Sequence, residues 1–208
     1  ILTKLTEKPL ATIPLSGLDE KFYHSLGDKS YLDEYGVKGK MIFTFIGAIS
    51  YRKGIHVMLE AFKKVLLQVP NVHLVIAGSG EYEKNIDKMI KDFNISDHVT
   101  RISWLSQKDV VKLLSASDVF LYPSISHGGW EEQFGYSMAE ASLCELPVIA
   151  TRSGSIEDVV VDGKTGIMVN ENNIKELHDN MFKLASNSEM RKEFGQSGRK
   201  YIIDNFSN

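Results

Sequence analysis

Two glutamates eight positions apart carry the first chemistry in this sequence. They bound the stretch Glu132-Gln-Phe-Gly-Tyr-Ser-Met-Ala-Glu140. Ahead of it lie an apolar run, Asp118-Val-Phe-Leu-Tyr-Pro-Ser124, and a glycine-bearing loop, Ser126-His-Gly-Gly-Trp130. The pattern predicts a helix from Phe134 to Cys144, with Glu132 before its N-terminus and Glu140 in its second turn. Such an N-terminus offers unpaired N–H groups and about half a unit of positive charge. Gly135 removes side-chain bulk where an anion would approach. At about 1.5 Å of rise per helical residue, plus the extended entry, the carboxylates lie on the order of 10 Å apart. That separation suits a ligand with hydroxyls at both ends and a diphosphate between them, as in a nucleotide sugar.

The elements that must position these groups alternate along the chain. Apolar, β-branched stretches predict strands at Met41–Gly47, Val72–Ala77, Val99–Ser103, Val119–Tyr122, Pro147–Ala150 and Gly166–Val169. Helical periodicity marks Ile55–Gln68, Tyr82–Phe93, Ser106–Ser115, Ile174–Ala185 and Glu189–Asn205, with one or two turns at Ser155–Val160. Ser106 and Asp109 have capping-box spacing. Continuously apolar strands separated by helices demand a parallel sheet covered on both faces, with right-handed crossovers. The expected class is therefore α/β and Rossmann-like. In such sheets ligands bind outside the carboxyl ends of the strands. Gly47, Gly78, Ser124 and Thr151 sit at those ends and should surround one crevice.

Glu132-x-Phe-Gly followed by Glu140-Ala, with Tyr122-Pro-Ser124 before it, resembles the donor-site signature of retaining GT-B glycosyltransferases. That large family includes sucrose synthases and bacterial mannosyl- and glucosyltransferases. The resemblance runs from Ile13 to the end of the chain, with several motifs in the family's order. It implies the C-terminal half of a GT-B fold, which binds a nucleotide sugar and uses neither cofactor nor metal. It implies that Glu140 holds the ribose hydroxyls and that Glu132 contacts and orients the donor sugar. Lys53, Arg52 and the backbone N–H groups around Phe134, Gly135 and Tyr136 would stabilise the departing diphosphate. Gly47-Ala-Ile-Ser-Tyr-Arg-Lys-Gly54 corresponds to a segment that usually reads Gly-Arg-Leu followed by Lys-Gly. Lys53 matches the lysine, Ala48 replaces the arginine, and Arg52 could compensate for it in part. Gly78-x-Gly80 matches a Gly-x-Gly close to the donor. Taken alone it suggests a dinucleotide site, but Glu83 stands where the third glycine should be. Trp104, after the third strand, falls where the family meets the nucleobase, and packing is expected of it rather than stacking on a base. Ser153-Gly154-Ser155 with Glu157 resembles the family's Gly-Gly-x-x-Glu.

The resemblance also divides the chain. Residues 1–40, with Thr12-Ile-Pro-Leu-Ser-Gly-Leu-Asp19, read as a connector from an N-terminal domain that is not here. Residues 41–187 form the donor domain, and 188–208 a helix that crosses back, where Tyr201, Ile202 and Phe206 would be left partly orphaned. The chain starts at Ile1, as a piece cut from a longer protein would. An acceptor sugar or lipid would be held by the missing domain.

Composition excludes other classes. The 208 residues carry a net charge of −3, which gives no footprint for nucleic acid. The lone Cys144 rules out an internal disulfide and fits a reducing, cytoplasmic compartment. No apolar run approaches the roughly 20 residues a membrane span needs, so any membrane association would be peripheral. No His, Cys and carboxylate cluster has metal-ligand spacing. Two alternatives stand beside the transferase reading: a non-catalytic nucleotide-sugar-binding or scaffold domain, which Ala48 suggests, and a sugar-nucleotide 2-epimerase of similar fold.

Overall fold

Five buried, largely apolar stretches and a half-buried edge segment, Val99-Thr-Arg-Ile102, pair side by side because a buried backbone can satisfy its polar groups only with another strand. The computed structural model describes residues 17–207. The strands are β1 (Met41–Ile46), β2 (Val72–Ala77), β3 (Val99–Ile102), β4 (Val119–Tyr122), β5 (Val148–Thr151) and β6 (Gly166–Val169). The helices are α1 (Ile55–Gln68), α2 (Glu83–Asp92), α3 (Gln107–Ala116), α4 (Tyr136–Leu143), α5 (Ile156–Val159), α6 (Ile174–Ser186) and α7 (Ser188–Phe206). These match the expected elements to within about two residues. The larger difference is at α4, which starts at Tyr136 rather than Phe134 because Gly135 is left-handed, at φ 85°. Short 3-10 turns at Ser30–Tyr35, Tyr51–Lys53 and Ser96–His98 have no periodic signal in the sequence.

All pairings are parallel, in the order β3-β2-β1-β4-β5-β6. The order reverses between β1 and β4, and that switch point leaves a crevice outside their carboxyl ends. Alternation along each strand sends side chains to opposite faces. Phe43, Phe45, Val119 and Leu121 join α1, α2 and α6 on one face. Phe120, Tyr122, Val148 and Ala150 join α3, α4 and α5 on the other.

Helix α7 adds to both cores, through Phe194 on the first face and Ile202 and Phe206 on the second. Ile202 and Phe206 are thus buried within this unit, Phe206 with its ring 5.3 Å from that of Phe134. The expectation that they would be orphaned does not hold, because α7 folds against α4. The half-buried Tyr201 donates its hydroxyl to the Asp158 carbonyl at 3.0 Å. Of the connector motif, Thr12 to Ser16 lie outside the described residues. Leu18, at its end, is buried and pairs with Ser207.

Candidate functional site

The two loops that leave β1 and β4 meet at the switch point. The β1 loop makes a 3-10 turn, Tyr51–Lys53, and ends in Gly54 at φ 65°. A Cβ at Gly54 would overlap the Pro123 carbonyl oxygen, so only glycine lets the two loops touch there. A backbone bond from the Ile125 amide to the Arg52 carbonyl, at 2.8 Å, ties them together. Gly154 works in the same way on the other side. It is left-handed at φ 56°, its missing Cβ would overlap the Glu132 carbonyl, and the Ser155 amide donates to that carbonyl at 2.9 Å.

These contacts bring Lys53 and Glu132 into an ion pair in which each side chain is only 9% exposed. Lys53 Nζ also donates to the Tyr122 hydroxyl at 2.8 Å, and Ser124 Oγ donates to Glu132 at 3.3 Å. Burial pushes the Glu132 carboxyl up, but Lys53, Tyr122 and Arg52 outweigh it and hold the group below the usual glutamate range. Burial pulls the Lys53 ammonium below its usual value, and Glu132 opposes that shift. The arrangement is a charged pair fixed at the base of the crevice. A lysine ammonium has three donors, so Glu132 and Tyr122 leave one for a ligand.

Arg52 lies beside this pair with its guanidinium 3.5 Å from the centre of the Trp130 ring. Adjacent residues need not share a face, yet Arg52 and Lys53 converge here because the 3-10 turn wraps the β1 loop. Trp130 is presented by a tight turn in which His127 and Trp130 exchange backbone bonds around Gly128 and Gly129, both at positive φ. At the tip of α4, no acceptor among the described residues meets the amides of Phe134, Gly135, Tyr136 or Ser137. Gly135 owes its identity first to its left-handed backbone and to the Tyr122 ring, which a Cβ would crowd at 3.2 Å. The room it leaves for an anion is secondary.

The glycosyl transferases group 1 family profile matches residues 31–201. The chain belongs to that family. Among its relatives, spore coat protein SA of Bacillus subtilis is 30% identical over 92% of this chain and 53% of its own length. The capsular polysaccharide biosynthesis glycosyltransferase CapM of Staphylococcus aureus is 30% identical over 91% of this chain and 46% of its own. The chain spans about half the length of the curated relatives it matches. Two solved structures share the fold. One is the C-terminal domain of the group 1 glycosyl transferase LpcC from Francisella tularensis, with TM-score 0.80 and 21% identity over 90% of this chain and 97% of that one. The other is HepE from Anabaena in complex with UDP and glucose, with TM-score 0.84 and 20% identity over 92% of this chain and 52% of that one. The fold of this chain is that of a GT-B glycosyltransferase C-terminal domain.

Two further parts of this group 1 domain flank the Lys53–Glu132 pair. Gly47, Ala48, Gly78 and Ser103 line a hollow of about 330 Å³ at the ends of β1, β2 and β3, together with Trp104. Trp104 is 77% exposed, so the packing expected of it is not found. It stands in the loop between β3, at the sheet edge, and α3. A Cβ at Gly78 would overlap the Gly47 carbonyl, which accounts for the first glycine of the Gly-x-Gly pair by close packing of two strand exits. Glu140 lies in the second turn of α4. It is half-buried, burial raises its carboxyl above the usual range, and the neighbouring Tyr23 hydroxyl opposes the rise.

Lys53, Arg52 and Glu132 are thus gathered beside the α4 tip. Tyr122 and Trp130 stand in quoted motifs but carried no assigned role in the sequence. Tyr122 reads there as one more apolar strand residue, and its partners are not local. Among the described residues no group of three or more His, Cys, Asp or Glu is placed to hold a metal ion, and no helix is long and apolar enough to cross a membrane.

Proposed function

We propose that this chain is the donor-binding domain of a retaining glycosyltransferase that moves a sugar from a nucleotide diphosphate to an acceptor hydroxyl. The observation that carries the reading is the buried Lys53–Glu132 pair at the switch point, beside the unpartnered amides of Phe134 to Ser137. The diphosphate sits on those amides, where the helix dipole favours negative charge. The free donor of Lys53 reaches a phosphate oxygen. Glu132, held by Lys53, Tyr122 and Ser124, contacts the donor sugar. Glu140 takes the ribose hydroxyls, and the Gly47–Gly78 hollow with Trp104 takes the base.

In the reaction the bond from the anomeric carbon to the diphosphate breaks, and the nucleoside diphosphate leaves with the electron pair. A bond to the acceptor oxygen forms on the same face of the sugar, and the proton of the acceptor hydroxyl passes to the departing phosphate oxygen. Negative charge grows on the leaving phosphate. Lys53 and the α4 amides are already oriented toward it, which is electrostatic preorganisation without a metal. Support comes also from HepE, whose similar fold was solved with UDP and glucose. The acceptor belongs to a second domain, so this chain alone binds nucleotide and transfers little.

The test is transfer by the longer protein with a donor that binds, and proton NMR of the product anomer. Retention, with Glu132→Ala lowering kcat by a hundredfold or more, is expected. Inversion, or a Glu132→Ala enzyme of undiminished kcat, contradicts the mechanism. Ala48 favours a second reading, a non-catalytic nucleotide-sugar-binding domain. That reading predicts donor binding with neither transfer nor hydrolysis in the same assay.

A further inference from the structure

The sheet has a second end. The crevice lies outside the carboxyl ends of β1 and β4. At their amino ends, roughly 20 Å back along β1 at about 3.3 Å per residue, a hollow of about 500 Å³ opens. Its floor is apolar. Leu32, Val37, Ile42 and Ala116 line it, each at most 3% exposed. All four belong to a third, smaller core, in which the Ser30–Tyr35 turn packs on α3 and the sheet.

The rim is charged, and unevenly. Lys29, Lys38, Lys40 and Arg191 line it against only Asp33 and Asp118. Two of the cations have an acid: Lys29 is 2.6 Å from Asp118, and Lys38 is 3.8 Å from Asp33. Lys40, at the start of β1, and Arg191, in the first turn of α7, are half-buried and form no ion pair among the described residues. Arg191 gives Nη1 to the Leu184 and Ala185 carbonyls, at 2.6 and 3.2 Å, and so caps the end of α6. A guanidinium carries five donors, so those on Nε and Nη2 are left. Four cations against two acids leave two formal positive charges at one opening. Drawing unmatched like charges out of water is costly unless something is to meet them.

The ligand that matches is a dianion with an organic body. A phosphomonoester carries close to two negative charges at neutral pH and three strong acceptor oxygens. It can therefore engage two cations that come from separate elements, where a carboxylate offers a single charge. The apolar floor favours a body attached to the phosphate, and the volume falls within the range of about 300–1,000 Å³ usual for small-molecule pockets.

We propose that this hollow binds a small soluble phosphomonoester, with the phosphate between Lys40 and Arg191 and the organic body on Leu32, Val37 and Ile42. It is a second site, sharing no residue with the crevice, and it stands whether or not the crevice takes a sugar donor.

The experiment titrates phenyl phosphate, inorganic phosphate and phenol into the nitrogen-labelled chain at about pH 7.5, where the monoester is a dianion, and maps amide shifts by NMR. Wild type is compared with Lys40→Gln, Arg191→Gln and, as a surface control, Lys84→Gln. Phenyl phosphate should shift the amides of Gly39, Lys40, Asn71 and Asp118 with one saturable affinity, tighter than that of inorganic phosphate, and phenol should not. Lys40→Gln and Arg191→Gln should each weaken it about tenfold to a hundredfold, the usual worth of a charge-assisted contact, and Lys84→Gln should leave it unchanged. Should Arg191→Gln fail to fold, Lys40→Gln decides alone. Shifts confined to Phe134 to Ser137, no saturable shift, or a Lys40→Gln chain that binds as wild type does overturns the site. Binding of the chain to vesicles of phosphatidic acid, with no shift by phenyl phosphate, overturns the soluble ligand.

Discussion

Lys53 and Glu132, 79 residues apart in sequence, form one buried ion pair with the Tyr122 hydroxyl as a third member. Removing one partner leaves the other charged and largely out of water, which typically costs about 3–5 kcal/mol. Glu132→Ala should therefore destabilise the chain by that order in urea unfolding. Replacing both partners, as Lys53→Met/Glu132→Leu, should recover most of the loss. A Glu132→Ala chain within about 1 kcal/mol of wild type would mean that the pair is not buried as described.

Gly154 and Gly163 make a matched comparison. Both are left-handed, at φ 56° and 69°, but only Gly154 lacks room for a Cβ, which would overlap the Glu132 carbonyl. Gly163→Ala should cost only the backbone preference, about 1–2 kcal/mol. Gly154→Ala should cost clearly more and should also weaken nucleotide binding, because it pushes on the residue that carries the Glu132 carboxylate. Equal losses of stability in the two variants, with binding intact, would contradict the clamp.

His73 sits in β2 with Nε2 and the Thr100 hydroxyl 2.8 Å apart, and burial lowers its pKa from 6.5 to about 4. The unfolded chain thus takes up this proton near pH 6.5 and the native chain only near pH 4. Stability is full above the first value and falls as pH drops toward the second, by up to about 3 kcal/mol. His73→Gln should flatten that part of the profile. An unchanged profile between the two pH values would show that His73 does not drive it.

Glu140 points the other way. Burial raises its carboxyl above the ordinary 4.5, so it takes a proton at a pH where an exposed glutamate is still charged. If the carboxylate accepts two ribose hydroxyls, affinity for a nucleoside should fall on acidification, beginning at a higher pH than an ordinary glutamate would give, and Glu140→Gln should bind weakly and without that dependence. Nucleosides serve here because they carry no titrating phosphate. A wild-type profile as flat as that of Glu140→Gln would remove Glu140 from the ribose site.

The central strands are legible in the sequence because a sheet covered on both faces favours apolar side chains at nearly every position, as in Val119-Phe-Leu-Tyr122. The helix after Gly135 is legible from pattern, with its start two residues later than the expected Phe134. What sequence spacing does not give is pairing. Lys53 and Glu132 lie far apart in the chain, and nothing local says that they neutralise each other. Nor does it say that Tyr122, a strand residue by pattern, turns its hydroxyl into the site. An aromatic residue after a strand usually packs, whereas Trp104 leaves the edge strand β3 exposed. Trp130 follows two glycines, a composition that reads as a loose loop. Both glycines instead serve the positive φ of a tight turn.

The central claim is that the crevice at the β1 and β4 exits grips a nucleotide sugar at both ends. Thermal unfolding of the chain with UDP-, GDP- and ADP-linked sugars measures it most directly, because a ligand at about 100 times its Kd adds about 2.7 kcal/mol to apparent stability. At least one class of donor should raise Tm, and Glu140→Ala should remove most of the rise without lowering Tm in the absence of ligand. No rise with any of the three, or a rise that Glu140→Ala leaves intact, would contradict the account.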